Sequence, residues 1–97
     1  MGHNQKEKKY SLTYHRLVPA EITALDPFWQ TNVLAAIEEK LLLRPEIFGK
    51  PLRRSLKGCR SLRVGDYRVI FQIHQKAVLI IAIMHRSSEY KGIEKRI

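Results

Sequence analysis

The sequence predicts an α+β domain in which helices pack on an antiparallel sheet. From Tyr67 to His74 an apolar residue recurs at every second position, and the positions between are polar except for Ile70, which is the period of a half-buried strand. A run from Ala77 to Met84 is apolar on both faces, as expected of a central strand. From Trp29 to Leu41 apolar residues recur every four positions, which indicates a helix. The predicted order is a strand, two helices, a three-stranded antiparallel meander and a short C-terminal helix.

The first half of the chain contains the predicted first strand and both main helices. Residues 1–9 are polar and charged, so we expect a flexible N-terminal arm before a single domain over residues 10–97. Alternation predicts a strand from Tyr10 to Val18, and Pro19 can open a short helix over Ala20 to Leu25.

The second helix has clear sequence boundaries. Asp26 is a typical N-cap and Pro27 fits the first helical position. Arg44-Pro45 ends the helix, because a residue before proline avoids the helical conformation.

The second half of the chain begins with a connector from Pro45 to Pro51, in which Phe48 is expected to plug into the core. A strand is predicted near Cys59 to Val64, followed by a turn at Gly65-Asp66 and the two long strands. Ser87 or Ser88 could cap the final helix.

Size and composition restrict the class of protein. A chain of 97 residues with 44% hydrophobic residues fits one globular domain. A single cysteine, Cys59, cannot form an internal disulfide, which fits a reducing compartment. The N-terminus has no apolar signal core and no apolar run could span a bilayer. We therefore expect a cytoplasmic protein with no membrane partner.

The charge is strongly positive and unevenly distributed. The chain has 18 Lys and Arg against 9 Asp and Glu, a net charge of +9. Seven of the nineteen residues from Lys50 to Arg68 are basic and only Asp66 is acidic. Such a run is often a solvated face, but its density also fits a polyanionic partner such as nucleic acid.

Two arginines, Arg68 and Arg86, fall within apolar strands rather than loops. A buried unpaired charge costs several kcal/mol, so each needs a carboxylate or an anionic ligand. Asp66 and Glu89 are the possible internal partners.

Motifs of metal and nucleotide sites are missing from the sequence. The four histidines, His3, His15, His74 and His85, lack metal-ligand spacing. No glycine-rich phosphate loop occurs. We expect no metal and no cofactor, and we interpret Cys59 as a buried thiol rather than as a nucleophile paired with His85.

The segment "LRVGDYRVIFQI", an apolar strand and then "IMHRSSEYKGIEKRI" resemble the RelE/ParE toxin superfamily of bacterial toxin–antitoxin modules. In its RelE branch the resemblance implies a ribosome-dependent endonuclease that cuts mRNA. By this resemblance, Arg68 corresponds to the central-strand arginine of the family, Arg86 to an arginine that ends the last strand, and Tyr90 to a C-terminal tyrosine. The implied partners are a cognate antitoxin, the ribosome and mRNA.

The chain departs from the family pattern at two places. The RelE branch has lysines on the strand before the Tyr-Arg motif, where this chain has Arg60 and Arg63. Many relatives carry glycine where this chain has Met84. Because the lysines are missing, the resemblance does not assign the residues that act as acid and base in the reaction.

Cleavage of RNA through its 2′-hydroxyl needs a proton acceptor, charge stabilisation and a proton donor. Arginine forks match phosphate oxygens but stay protonated. The chemistry favours His85 for proton transfer, since imidazole titrates near neutrality. The resemblance to the family favours Tyr90 instead. The basic run supplies the candidate RNA-binding residues, which are Arg53, Arg54, Lys57, Arg60 and Arg63.

Two other functions remain open at this stage. A ParE-like inhibitor of DNA gyrase would share the fold without nuclease activity. A general nucleic-acid-binding module would need aromatic residues for base stacking, and few interleave the basic run.

The register of the last hairpin decides whether Arg68 and Arg86 share one face. A two-residue turn with a regular ladder would place Arg68 opposite Ile83 and turn Arg86 away. We therefore predict an odd-length loop at Gln75 to Ala77 or a bulge near Met84, either of which would place both guanidinium groups on one face.

Overall fold

The computed structural model describes residues 9–97, and its centre is a five-stranded sheet of order β1-β5-β4-β3-β2. The strands are β1 Ser11–Tyr14, β2 Lys50–Pro51, β3 Arg60–Val64, β4 Tyr67–His74 and β5 Ala77–His85. β1 runs parallel to β5, and the other neighbours are antiparallel. The predicted α+β class and the three-stranded meander are confirmed.

Three short α-helices precede the meander: α1 Val18–Thr23, α2 Pro27–Ala36 and α3 Pro45–Phe48. α2 continues into a π-helical turn over Ile37–Leu41. At its start the Asp26 carboxylate accepts a hydrogen bond from the Trp29 amide at 3.2 Å, as the predicted N-cap requires. Among residues 9–97 no helix is long and apolar enough to span a membrane.

One face of the sheet, here the helical face, carries the larger core. Val33, Ile37 and Leu41 of the predicted stripe are fully buried in one cluster with Val69 and Phe71. Each such side chain contributes roughly 1.5–3 kcal/mol on burial, so this stripe holds α2 and its π-helical turn on the sheet.

The opposite face, here the second face, carries a smaller core under two 3₁₀ turns, Arg54–Leu56 and Ile93–Arg96. Leu56 and Ile93 pack there with Ile70 and Ile81. β5 lies between β1 and β4 and is buried on both faces, so its predicted central position is confirmed.

Several predicted boundaries were wrong. β1 ends at Tyr14 because His15 Nδ1 accepts the Leu17 amide at 3.1 Å, which turns the chain into α1. Phe48 does not enter the core; it is 42% exposed and lies under the Lys40 ammonium. Ser87 and Ser88 cap no helix, because the segment that follows β5 consists of turns and a single 3₁₀ turn.

The β4–β5 hairpin has a two-residue turn, Gln75-Lys76, with His74 opposite Ala77, so the predicted odd-length loop was wrong. A bulge does occur, but at Ile81 rather than at Met84. Ile70 pairs with Ala82 and Phe71 with Ile80, which leaves Ile81 without a partner. The bulge places Arg68 opposite Met84 instead of Ile83, the partner that a regular ladder from this turn would give.

Candidate nucleic-acid interface

A groove of about 540 Å³ opens on the second face, and we call it the cationic groove. Its described lining residues are Phe48, Lys50, Pro51, Leu52, Arg53, Ser61, Arg63, Arg68 and Tyr90. Four of these residues are cations and none is an acid. The groove therefore attracts an anionic ligand.

Strand pairing brings the polar groove residues together. Lys50 on β2 lies opposite Ser61 on β3, and Arg63 on β3 lies opposite Arg68 on β4. Directly opposed residues of antiparallel strands point to the same face. The groove is therefore formed by three neighbouring strands, with Tyr90 added from the C-terminal segment.

Arg68 lies half-buried in the groove and donates a hydrogen bond from Nη1 to the Tyr90 hydroxyl at 3.2 Å. Its guanidinium carbon is 5.7 Å from the centroid of the Tyr90 ring. Among residues 9–97 no carboxylate forms an ion pair with it. Its directly opposed neighbour is Arg63, and like charges in that position repel. An anion bound between the two would relieve this repulsion.

The predicted site residues divide into two groups. Arg53, Arg63, Arg68 and Tyr90 line the cationic groove. Arg54 begins the 3₁₀ turn Arg54–Leu56 and Lys57 follows it, and both are exposed and do not line the groove.

Arg60 belongs to the helical face, since it lies opposite Phe71. Its Nη1 donates to the backbone oxygens of Gly49 at 3.0 Å and Glu46 at 3.4 Å. These bonds hold the α3–β2 connection on the sheet, so the geometry gives Arg60 a structural position outside the groove.

Arg86 follows the end of β5, and its guanidinium does not line the groove. It forms an ion pair with Asp66 at 3.4 Å, and both side chains are more than half exposed. Its amide also donates to the Asp66 carbonyl at 2.8 Å. The ion pair holds Arg86 over the β3–β4 turn.

His85 lies opposite Tyr67, and its ring meets the Tyr67 ring edge-on at 5.3 Å. Its Nδ1 is 2.7 Å from the Ser87 hydroxyl. Tyr67 packs against the helical core, so His85 is on the other side of the sheet from Arg68 and Tyr90.

Lys50, Ser61 and Phe48 line the groove but were not among the predicted site residues. Lys50 did belong to the basic run. Its place opposite Ser61 depends on the two-residue strand β2, which carries no periodic signal that a sequence could reveal.

Cys59 is buried in the second-face core. Burial raises the pKa of its thiol, and a hydrogen bond with Gln72 partly opposes that shift. The thiol therefore stays neutral, which fits the predicted structural role. In the described part of the chain no three His, Cys, Asp or Glu side chains are grouped as a metal site would require.

The chain is a small basic α+β protein whose fold matches solved structures of RelE-like toxins. One chain of the toxin–antitoxin complex RelBE2 from Mycobacterium tuberculosis superposes with a TM-score of 0.76 at 29% identity, over 84% of this chain and 95% of that one. A mutant of toxin RelE from Escherichia coli in the free state gives a TM-score of 0.74 at 23% identity, over 92% and 98% of the two chains, and shows the same fold.

Sequence comparison identifies the family. The family described as "ParE toxin of type II toxin-antitoxin system, parDE" matches residues 12–90, and the chain belongs to this family. Toxin RelE of Mycobacterium tuberculosis is 48% identical over 54 residues, which are 53% of this chain and 55% of that protein. The chain thus matches about half the length of this relative. The predicted resemblance to the RelE/ParE superfamily is confirmed.

Proposed function

We propose that this toxin is a ribosome-dependent endoribonuclease that cuts mRNA, with the Arg68–Tyr90 pair at its centre. The observation that carries the proposal is the cationic groove, where a half-buried arginine that has no carboxylate partner among residues 9–97 contacts a tyrosine hydroxyl. A relative that matches about half of the chain, toxin RelE of Mycobacterium tuberculosis, also supports the proposal.

The reaction is transesterification within the RNA. The 2′-hydroxyl loses its proton to a solvent water, and its oxygen attacks the adjacent phosphorus. A 2′,3′-cyclic phosphate forms as the bond from phosphorus to the 5′-oxygen breaks, and the 5′-oxygen leaves with a proton from the protein. Arg68 and Arg63 face each other across β3 and β4, so both can contact one phosphate and stabilise the charge of the phosphorane.

Tyr90 is placed to donate a proton. Its hydroxyl oxygen accepts the hydrogen bond from Arg68, so its own proton is free to point to another acceptor. In this proposal Tyr90 protonates the leaving 5′-oxygen. No histidine or carboxylate is among the described groove residues, so catalysis depends on substrate positioning and charge stabilisation.

Arg86 joins the site only if it releases Asp66. An exposed ion pair contributes about 0–1 kcal/mol, so an RNA phosphate can compete for Arg86. His85 stays a candidate for proton transfer only for a substrate that reaches around the sheet edge.

The test is in vitro translation with purified toxin and mapping of the mRNA ends. Arg68→Ala is expected to lower the cleavage rate about 10²–10³-fold, as for loss of a charge-stabilising donor. Tyr90→Phe is expected to lower it by at least about 10²-fold. Arg16→Ala removes an exposed positive charge away from the groove and is the control. Full activity of Arg68→Ala would contradict the proposal.

Inhibition of DNA gyrase is the second candidate, because the matched family is described as ParE toxins. A supercoiling assay distinguishes the two. Inhibited supercoiling together with intact mRNA would favour this alternative.

A further inference from the structure

The outer edge of β5 is covered by two different means along its length. β1 pairs with β5 from Ala77 to Ile80 and then leaves the sheet. Beyond that point the edge is satisfied by side chains. Glu21 Oε1 accepts the Ile83 amide at 2.9 Å, and Arg96 Nη1 donates to the Ile81 carbonyl at 3.0 Å.

Glu21 and Arg96 also bind each other, and we call this pair the C-terminal clasp. Arg96 Nη2 lies 2.7 Å from Glu21 Oε2, and the two side chains are only 17% and 25% exposed. By contrast, the nitrogen–oxygen distance of the Arg86–Asp66 pair is 3.4 Å, and both of its side chains are more than half exposed. A shielded pair that also holds two backbone groups is screened little by salt, and removing either partner leaves the other charge uncompensated.

The clasp lies on the same segment as the groove tyrosine. Within the described part of the chain, the backbone hydrogen bonds of segment 86–97 are local, apart from one bond to the β3–β4 turn. Ile93 anchors it in the second-face core, and Tyr90 packs on that core. Arg96 ties its far end to β5 and to α1.

We propose that Glu21 and Arg96 are positioning residues that hold Tyr90 against Arg68. The catalytic part of this inference rests on the proposed function, but the structural part does not. The Ile81 bulge is part of the device, since Ile81 both packs beneath Ile93 and presents the carbonyl that Arg96 binds.

The first test is structural and independent of activity. The ring signals of Tyr90 are followed by NMR in the wild type, in Arg96→Ala and in Lys95→Ala, where Lys95 is an exposed cation one residue away. Arg96→Ala is expected to move the Tyr90 signals toward those of Tyr90 in Arg68→Ala, and Lys95→Ala is expected to leave them unchanged. Unmoved Tyr90 signals in Arg96→Ala would overturn the inference.

The second test is a double-mutant cycle in the cleavage assay. Arg96→Ala is expected to lower kcat roughly tenfold or more, since a displacement of about 1 Å can cost 10²-fold. In the background of Tyr90→Phe the same change should have little further effect, because it acts through Tyr90. Fully additive losses would overturn the inference.

Glu21→Gln is a milder variant in case Arg96→Ala does not fold. The glutamine side-chain oxygen can still accept the hydrogen bond from the Ile83 amide, and only the negative charge is lost. This variant should produce a smaller loss in the same direction. If the wild type cleaves no mRNA, the proposed function fails, and the NMR test still decides whether the clasp orders Tyr90.

Discussion

Arg68 is the residue that most needs an explanation in this molecule. It is half-buried in the middle of the sheet, faces another arginine and has no carboxylate partner among residues 9–97. Its contact is the Tyr90 hydroxyl. A half-buried cation that faces a like charge is typical of a site for an anionic ligand, and for this reason the proposed function centres on Arg68.

Gly65 is a second residue whose identity is dictated by its surroundings. Its φ is +58°, and a Cβ at this position would overlap the six-membered ring of Trp29. We predict that Gly65→Ala lowers the free energy of unfolding by about 2–4 kcal/mol, through backbone strain and overpacking together. Urea denaturation followed by Trp29 fluorescence measures the loss.

Gly58→Ala is the matched control for this substitution. Gly58 also has a positive φ, +96°, but its Cβ would meet no atom within 4 Å. It should lose only the strain, about 1 kcal/mol. Equal losses at both positions would mean that the Trp29 contact contributes nothing.

The last hairpin shows how one strand irregularity arranges a site. A regular ladder from the two-residue turn would place Ile83 opposite Arg68, but the bulge at Ile81 places Met84 there. The chain leaves β5 at His85, and Arg86 then meets Asp66 in the β3–β4 turn. Access of Arg86 to the groove therefore depends on that turn.

Asp66→Asn tests this dependence, because asparagine keeps the turn chemistry and loses the charge. If Arg86 binds RNA after leaving Asp66, the variant should need up to about fivefold less toxin for half-maximal mRNA cleavage, as expected for an exposed pair worth 0–1 kcal/mol. Glu89→Gln removes an exposed negative charge nearby and is the control. Identical behaviour of the two variants would exclude release of Arg86 as a step in binding.

Over residues 9–97, exposed apolar side chains occur both in the cationic groove and away from it. Phe48, which is 42% exposed, lines the groove, whereas Tyr14, Leu17 and Leu34 belong to β1, to the residue before α1 and to α2. Burial raises the pKa of Tyr14, and the nearby Glu38 carboxylate raises it further. An antitoxin that covers both surfaces would combine ionic contacts with apolar burial.

We therefore predict that salt weakens the binding of RNA more than it weakens the binding of an antitoxin. Binding of single-stranded RNA should weaken steeply with salt, because each neutralised phosphate releases counterions. The antitoxin complex should persist at about 1 M NaCl, where the Debye length is only about 3 Å, because apolar contacts remain. Size-exclusion chromatography of the co-purified complex measures this, and complete dissociation at high salt would contradict it.

Local patterns were sufficient to predict the main elements. The strand β4, the two-sided apolar run of β5 and the Asp26-Pro27 helix start are each encoded by residues close in sequence, and each was confirmed. The predicted half-burial of β4 was wrong, because Ile70 is fully buried in the second-face core. The family segment pointed to Arg68 and Tyr90, and these two residues do meet in the groove. Short-range sterics and hydrogen bonding determine such features.

Register and long-range contacts could not be predicted in the same way. Four features depend on residues far apart in sequence. They are the bulge at Ile81, the pairing of Lys50 with Ser61, the orientation of Arg60 and His85 away from the groove, and the C-terminal clasp. A strand period of two says that side chains alternate, but not which partner strand or offset is chosen. That choice is made when the whole core packs, because a shift of one residue would exchange the buried side chains for the exposed ones.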